Sequence, residues 1–586
     1  MNWFWIFSSL PVLLIALPYE VRFIGLKDSD ALQAVLESSE LVSLQHRPPA
    51  SINGLRYRIS SDIPSLIQVL HAYAYYEAEI TSKIEFLDNE TVRVDLLIEP
   101  GPQFLLSGYD VYSGECKRLA HLSYCCPFTP EQLGLKLGTP ALSSKIINAE
   151  LNVLHELARC GHPLAYIDKR RVEVDMADTS VQADSCVQEG PFANFGPITY
   201  FGIEDINPRF IQRKISWKEG CPYDTDLITE TQERLLKTEL FSAVFISHGD
   251  QVDDYGNLPI KMRITEAKHK KIALGAFYAT VNGFGGNASW THRNIRGMGE
   301  ILTITGEYAQ RSYAGNITYK KPDFLRFDQT YKALAEITHE DIHPYHSLAY
   351  RFANYIERPS PPYSFFSAGL KIDHIHVTKS ATDGTYLLMG LPLFGKYERI
   401  ENILDPKQGY TLVYSMTPYQ SLFDGNVRFV KQRFTGTCYI PLLPNKRLIL
   451  ALRLQTGSIA GTAQKNVPMP KLFFGGSEDE LRGYKYQTVS PLQGKKSLGG
   501  RSAIFTSVEM RIRIMESIGI VPFADFGTVS LSAAPQFDEK WFKSVGLGLR
   551  YFGFFGPLRF DVGFPLNRRK GIDSAFQIYA SVGQAY

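Results

Sequence analysis

The sequence predicts α+β repeats of β-α-α-β-β form followed by a 16-stranded antiparallel transmembrane β-barrel. Three observations predict it. The first half repeats with a period of about 85 residues. The second half alternates apolar and polar residues in segments of roughly ten, separated by Gly, Asn, Asp and Pro. After the N-terminus no run reaches the ~18 consecutive apolar residues of a membrane helix. A helical membrane protein is thereby excluded, but a barrel is not, because its alternating strands average to an ordinary composition.

Residues 1–18 carry an apolar run (3–17) that reads as a secretory signal, although no Lys or Arg precedes it. Three modules are expected next, over residues 19–101, 102–191 and 192–268. Each opens on a short strand ending in or near glycine, at Gly25, Gly108 and Gly202. Each then carries a helical stripe: Leu66, Val69, Leu70 and Tyr73; Leu151, Leu154 and Ala158; Leu235, Leu236, Glu239 and Leu240. Alternating strands close the modules, as over residues 92–98 and 260–264. Residues 269–586 remain, and at about twenty per strand and turn they supply sixteen strands. Gly283-Phe284-Gly285-Gly286-Asn287 reads as a tight turn between the first two. The 36 Phe and 32 Tyr, recurring at strand ends, suit an aromatic girdle better than a soluble β domain.

Charge is nearly level, 62 Lys+Arg against 60 Asp+Glu, which argues against a nucleic-acid binder. The seven cysteines contain no C-x-x-C spacing, and their odd number leaves at least one unpaired. His339-Glu340-Asp341-Ile342-His343 matches a zinc-protease pattern, but Pro344 and the alternating surroundings place it on a hairpin. On a strand the two histidines would lie ~13 Å apart, too far to share a metal. His374 and His376 are expected on one barrel face. With no nucleophile elbow and no Walker lysine, the chain is expected to be no enzyme and to need no cofactor or metal.

Two motifs carry a resemblance. Leu481-Arg482-Gly483-Tyr484, in a long loop between the eleventh and twelfth strands, is followed by Phe523-Ala524-Asp525-Phe526-Gly527 on the thirteenth. The C-terminal strands add Phe576, Ile578, Ala580 and Val582 on one face, before Gly583 and a terminal Tyr586. In these features the chain resembles the outer-membrane superfamily of BamA-like barrels, most closely its TamA branch, and the modules resemble POTRA domains. Three modules suit that branch.

The resemblance implies a loop over residues 456–499 folded into the lumen, with Arg482 meeting Asp525. Arg suits the role because its planar fork binds a carboxylate in bidentate fashion and never loses its charge. Gly483 would allow close backbone approach, while Tyr484 and Phe523 would shelter the pair from water. Swapping the two charges is expected to restore part of the function that either single loss removes. The resemblance also implies an outer-membrane location with the modules in the periplasm. Its implied partners are unfolded outer-membrane clients, the lipid bilayer and a TamB-like protein anchored in the inner membrane.

Insertion would use a lateral seam between the first strand (Ile272, Leu274, Ala276, Tyr278) and the last (Phe576 to Tyr586, kinked at Gly583). Two alternatives stand beside this. A two-partner-secretion transporter would export through the lumen, but only residues 28–44 could supply its plug helix. A passive porin would need neither the modules nor the Arg482 loop.

Overall fold

A computed structural model describes residues 17–87, 91–113, 117–118, 128–279, 283–423, 427–537, 539–553 and 556–582. Residues 1–16 of the expected signal, Gly583 and Tyr586 lie outside the described residues. The chain forms two compact units.

The first unit comprises residues 1–201, 215–234 and 244–264. It opens with β1 (Tyr19–Ile24), α1 (Ser29–Ser38), α2 (Glu40–Ser43), α3 (Ile52–Ala72), β2 (Glu79–Phe86) and β3 (Val92–Glu99). Asp28, Ser39 and Ser51 cap the three helices by accepting backbone N–H groups. Leu55, Ile59, Leu66 and Leu70 line one side of α3 and are buried against Val92, Val94, Leu96 and Ile98 of β3. The sheet order is β1-β3-β2, with β1 parallel to β3. Asp62 of α3 is buried and accepts from Ser39 Oγ (2.6 Å) and the backbone N–H groups of Glu40 (2.9 Å) and Leu41 (3.1 Å). Asp62→Ala strands three donors in a buried site, so we expect it to destabilise this module by roughly 2–3 kcal/mol. Faster hydrogen exchange across residues 29–72 of the full chain would show it; unchanged exchange would contradict it.

The second group holds β4 (Leu105–Ser113), β5 (Lys117–Arg118), α4 (Ser143–Arg159), β6 (Tyr166–Asp175) and β7 (Ser180–Gln188), with sheet order β5-β4-β7-β6. Here α4 alone covers the sheet among the described residues, whereas the first group uses three helical segments. Among the described residues the number of helices therefore differs from one group to the next. Cys186 is disulfide-bonded, and Cys221 and Cys438 carry free thiols. The third group holds β8 (Asn194–Phe201), α5 (Pro208–Gln212), α6 (Thr225–Leu236), β9 (Phe241–His248) and β10 (Asn257–Glu266), with sheet order β8-β10-β9. Its helical stripe is shorter than expected: α6 stops at Leu236, and Glu239 takes a left-handed φ of 56° just before β9.

The second unit comprises residues 202–214, 235–243 and 265–586. Its wall begins with β11 (Lys270–Ala279), β12 (Gly283–Arg293), β13 (Ile301–Ala309), β14 (Ser312–Lys321), β15 (Thr330–Ile342) and β16 (Tyr345–Ser360). It continues through β17 (Ser364–Thr378), β18 (Gly384–Gly390), β19 (Leu393–Ile400), β20 (Gly409–Ser421), β21 (Arg428–Pro441) and β22 (Leu448–Ala460). The long loop that follows holds a small hairpin, β23 (Leu492–Gln493) and β24 (Lys496–Ser497). The wall ends with β25 (Ser502–Arg513), β26 (Ile518–Ser530), β27 (Phe542–Gly553), β28 (Gly556–Pro565) and β29 (Gln577–Val582).

These strands form one 17-stranded antiparallel sheet. Sixteen crossings result, because β18 and β19 continue one register against β17 and are interrupted at Leu391-Pro392. Proline has no N–H to give the ladder, yet its carbonyl still accepts from Gly369 N (3.0 Å). The glycines from Gly283 are not the expected turn but the start of β12, paired with β11 through Gly285↔Phe277 and Gly286↔Ala276. Among the described residues β11 pairs with β12 and β29 with β28, and no ladder joins β11 to β29.

Alternation along β27 is clean. Val545, Leu547, Leu549 and Tyr551 are exposed, while Ser544 and Arg550 are buried. Exposed apolar residues outside and buried charges inside are the inverse of a soluble sandwich and fit a wall whose outer face meets lipid. At one end of the wall, Lys214 Nζ donates to Asp323 Oδ1 (3.0 Å) in the β14–β15 turn and lies 4.8 Å from the Phe327 ring centroid.

Candidate functional site

The lumenal loop runs from Gly461 to Arg501, since β22 continues to Ala460 and β25 starts at Ser502. The expected start at residue 456 was therefore five residues early. Val467, Met469, Leu472, Phe473, Leu481, Tyr484 and Val489 of the loop are buried in one cluster with Ile375, Val377, Phe505, Val529 and Phe542 of the wall. The loop thus gives the lumen an apolar core of its own.

Arg482 is fully buried. Its Nε and Nη2 each donate to Asp525 at 2.8 Å, and its backbone N–H donates to the same carboxylate at 3.1 Å. Nη1 donates to Glu509 (2.7 Å) and Asp561 (2.9 Å), and Nη2 also reaches Ser507 Oγ (3.0 Å). One guanidinium thereby ties the loop to β25, β26 and β28. Arg511 pairs with Glu509, while Arg550 and Arg559 pair with Asp561, so the cluster holds three carboxylates and four arginines. The Arg482 guanidinium carbon lies 3.5 Å from the Phe523 ring centroid, a stacked cation–π contact.

The neighbouring loop residues have separate tasks. Leu481 is buried. Tyr484 is buried too, and its hydroxyl donates to the Lys543 carbonyl (2.8 Å). Gly483 has φ of 91° and presses against the Gly563–Phe564 backbone, where a Cβ would come within 3.1 Å. At Gly527 a Cβ would meet the Phe505 ring at 2.4 Å. The structure therefore brings Arg482, Gly483, Tyr484, Phe523 and Asp525 together, with Leu481 and Gly527 packed beside them.

Sequence reading missed Glu509, Asp561 and Ser507, and it missed a second attachment. Lys471 of the loop donates to Asp373 on β17 at 2.6 Å, and Arg351 on β16 grips the same carboxylate at 2.8 Å. Lys431 on β21 donates to the Lys471 carbonyl at 2.7 Å. Arg433 binds Glu480 (2.8 Å), bringing β21 a second hold on the loop. The signal available was parity: Asp373 and Lys431 each occupy an inward position of an alternating strand.

The seam residues lie apart from this cluster. Ile272, Leu274 and Ala276 are exposed on β11, as are Ile578 and Ala580 on β29 and Phe576 just before it. Tyr278 and Val582 belong to these strands, but their side chains are outside the described residues.

Metal chemistry finds little support in the local geometry. Asp205, Glu266 and His269 each place one ligand atom within 4.8 Å of the others. Glu266, however, already accepts backbone N–H groups of Glu204 (2.9 Å), Asp205 (3.1 Å) and Ile206 (3.2 Å). Burial alone would raise its pKa, but these donors and His269 outweigh burial and hold it below the usual carboxylate range. The trio is a turn cap. His339 stacks on Tyr313 at 4.6 Å in the β-ladder, and His343 lies beyond the end of β15.

The Omp85 superfamily domain matches residues 294–586, half of the chain. The chain belongs to the Omp85 superfamily. This Omp85 chain is 22% identical over 405 residues to the outer membrane protein assembly factor BamA of Nitratidesulfovibrio vulgaris, covering 66% of this chain and 50% of the relative. It is 23% identical over 385 residues to BamA of Neorickettsia risticii, covering 62% and 51%. The chain thus spans about half the length of these relatives. The crystal structure of Haemophilus ducreyi BamA lacking POTRA domains 1–3 shares the fold, with a TM-score of 0.68 at 19% identity, covering 77% of this chain and 96% of that one. Membership places the Omp85 barrel in the outer membrane, with POTRA-like modules in the periplasm, in a non-catalytic class.

Proposed function

We propose that this chain assists insertion of other outer-membrane β-barrel proteins through a lateral seam between β11 and β29, as a TamA-like member of the superfamily. The observation that carries the reading is the lumenal loop, packed into its own core and clamped by Arg482 to three of the four strands preceding β29. A passive porin needs an open lumen, and a lumenal exporter would have to withdraw this loop at each cycle. Work at the wall rather than through the lumen needs neither.

The wall also differs around its circumference. Strands β11 to β14 have 10, 11, 9 and 10 residues, whereas β15 to β17 have 13, 16 and 15. A difference of about five residues is ~17 Å along a strand. A shorter wall beside the seam favours local bilayer thinning, which lowers the barrier to inserting a new strand. An unpaired edge of β11 or β29 would template the client by β-augmentation. Clients, and a TamB-like partner at the first module, belong to this proposal.

Reconstitution tests it. Vesicles containing the chain are expected to accelerate folding of a urea-unfolded outer-membrane β-barrel over empty vesicles. Folding no faster than in empty vesicles, together with large steady conductance, would favour the porin instead.

A further inference from the structure

We propose that the Tyr579 hydroxyl is a latch fastening the last strand to the tip of the lumenal loop, so that loop release and freeing of β29 are coupled. The inference rests on the seam reading above for its functional meaning, but its geometry is independent of any client.

Tyr579 lies on β29 directly opposite Asp561 of β28. Asp561 is one of the carboxylates held by Arg482. The Gly483 N–H donates to Tyr579 Oη at 3.0 Å. The hydroxyl in turn points at the Tyr484 carbonyl, 3.5 Å away, a weak contact. Consecutive loop residues therefore hold different strands: Arg482 holds β25, β26 and β28 through its side chain, and Gly483 holds β29 through its backbone. Glycine suits this position, because a φ of 91° is strained for any side chain and a Cβ would come within 3.1 Å of the Gly563–Phe564 backbone.

The described ladder from β29 to β28 comprises six residue pairs, against fifteen between β16 and β17. To these described pairs the latch adds one hydrogen bond that resists local opening of β29. While Arg482 is seated, Gly483 is fixed and the latch is closed. When the loop tip lifts, the hydroxyl loses its partner and β29 loses its described tie to the loop. The plug and the seam would then move together.

Tyr579→Phe removes only the hydroxyl and keeps the ring, so the test uses the full chain in lipid nanodiscs. Hydrogen exchange of residues 577–582 is expected to speed up about twofold to tenfold, the range for one net hydrogen bond. Arg482→Ala is expected to speed the same amides, and adding Tyr579→Phe to it should change nothing further. That non-additivity distinguishes a latch from simple strand packing, which would give additive effects. Unchanged exchange in Tyr579→Phe, or additive acceleration in the double variant, would overturn the proposal. No client enters this measurement. Failure of the vesicle assay with the coupling intact would remove the assembly reading and leave the latch.

Discussion

Arg482→Ala is expected to release the loop from the wall and to remove most of the proposed assembly activity. Three carboxylates share this guanidinium, but they would not suffer equally. Glu509 retains Arg511, and Asp561 retains Arg550 and Arg559. Asp525, whose described cation is Arg482, would keep the Ser507 hydroxyl at 2.6 Å and the residue 482 backbone N–H at 3.1 Å, but among the described contacts no cation. Leaving one buried carboxylate without its cation costs roughly 3–5 kcal/mol. Most of that cost can be relieved by lifting the loop and admitting water, so loosening of residues 461–501 should precede barrel unfolding.

The double variant Arg482→Ala/Asp525→Asn should therefore be markedly less loosened than Arg482→Ala alone, because the stranded charge is gone. Arg482→Lys should rescue poorly, since a point charge cannot span three acceptors as a planar fork does. Protease accessibility of the loop and the vesicle folding rate measure both effects. Loss in Arg482→Ala no greater than in a surface arginine variant would contradict the account.

The full cluster also changes one expectation drawn from the sequence. Exchanging Arg482 and Asp525 looked restorative while they were considered as a pair. A carboxylate at position 482 would instead face Glu509 and Asp561, so the exchange should not restore function.

That difference marks how far the sequence could be read. Strand number was legible because turn residues punctuate each crossing, and even the Pro392 interruption follows from a residue that cannot donate to a ladder. Arg482 and Asp525 were legible because each sits in a motif of several residues. Glu509 and Asp561 were not, since each is one inward residue on an alternating strand. Alternation gives the face of a residue but not its level, which depends on how each strand is staggered against the next. Lys471 and Asp373 lie 98 residues apart, with no local pattern to join them. The glycines of β12 misled for a local reason: Gly-rich composition signals turns, yet the ladder to β11 tolerates missing side chains.

Opening between β11 and β29 is the central claim, and a covalent bond across that line tests it most directly. One cysteine is placed within residues 272–276 and its partner within 576–580, on strands whose outer side chains are exposed. The chain is reconstituted in vesicles and assayed oxidised and reduced, beside the parent chain treated identically. The expected result is loss of client folding on oxidation and its return on reduction, in the paired variant only. Full client folding with the bond intact would mean that the wall works closed.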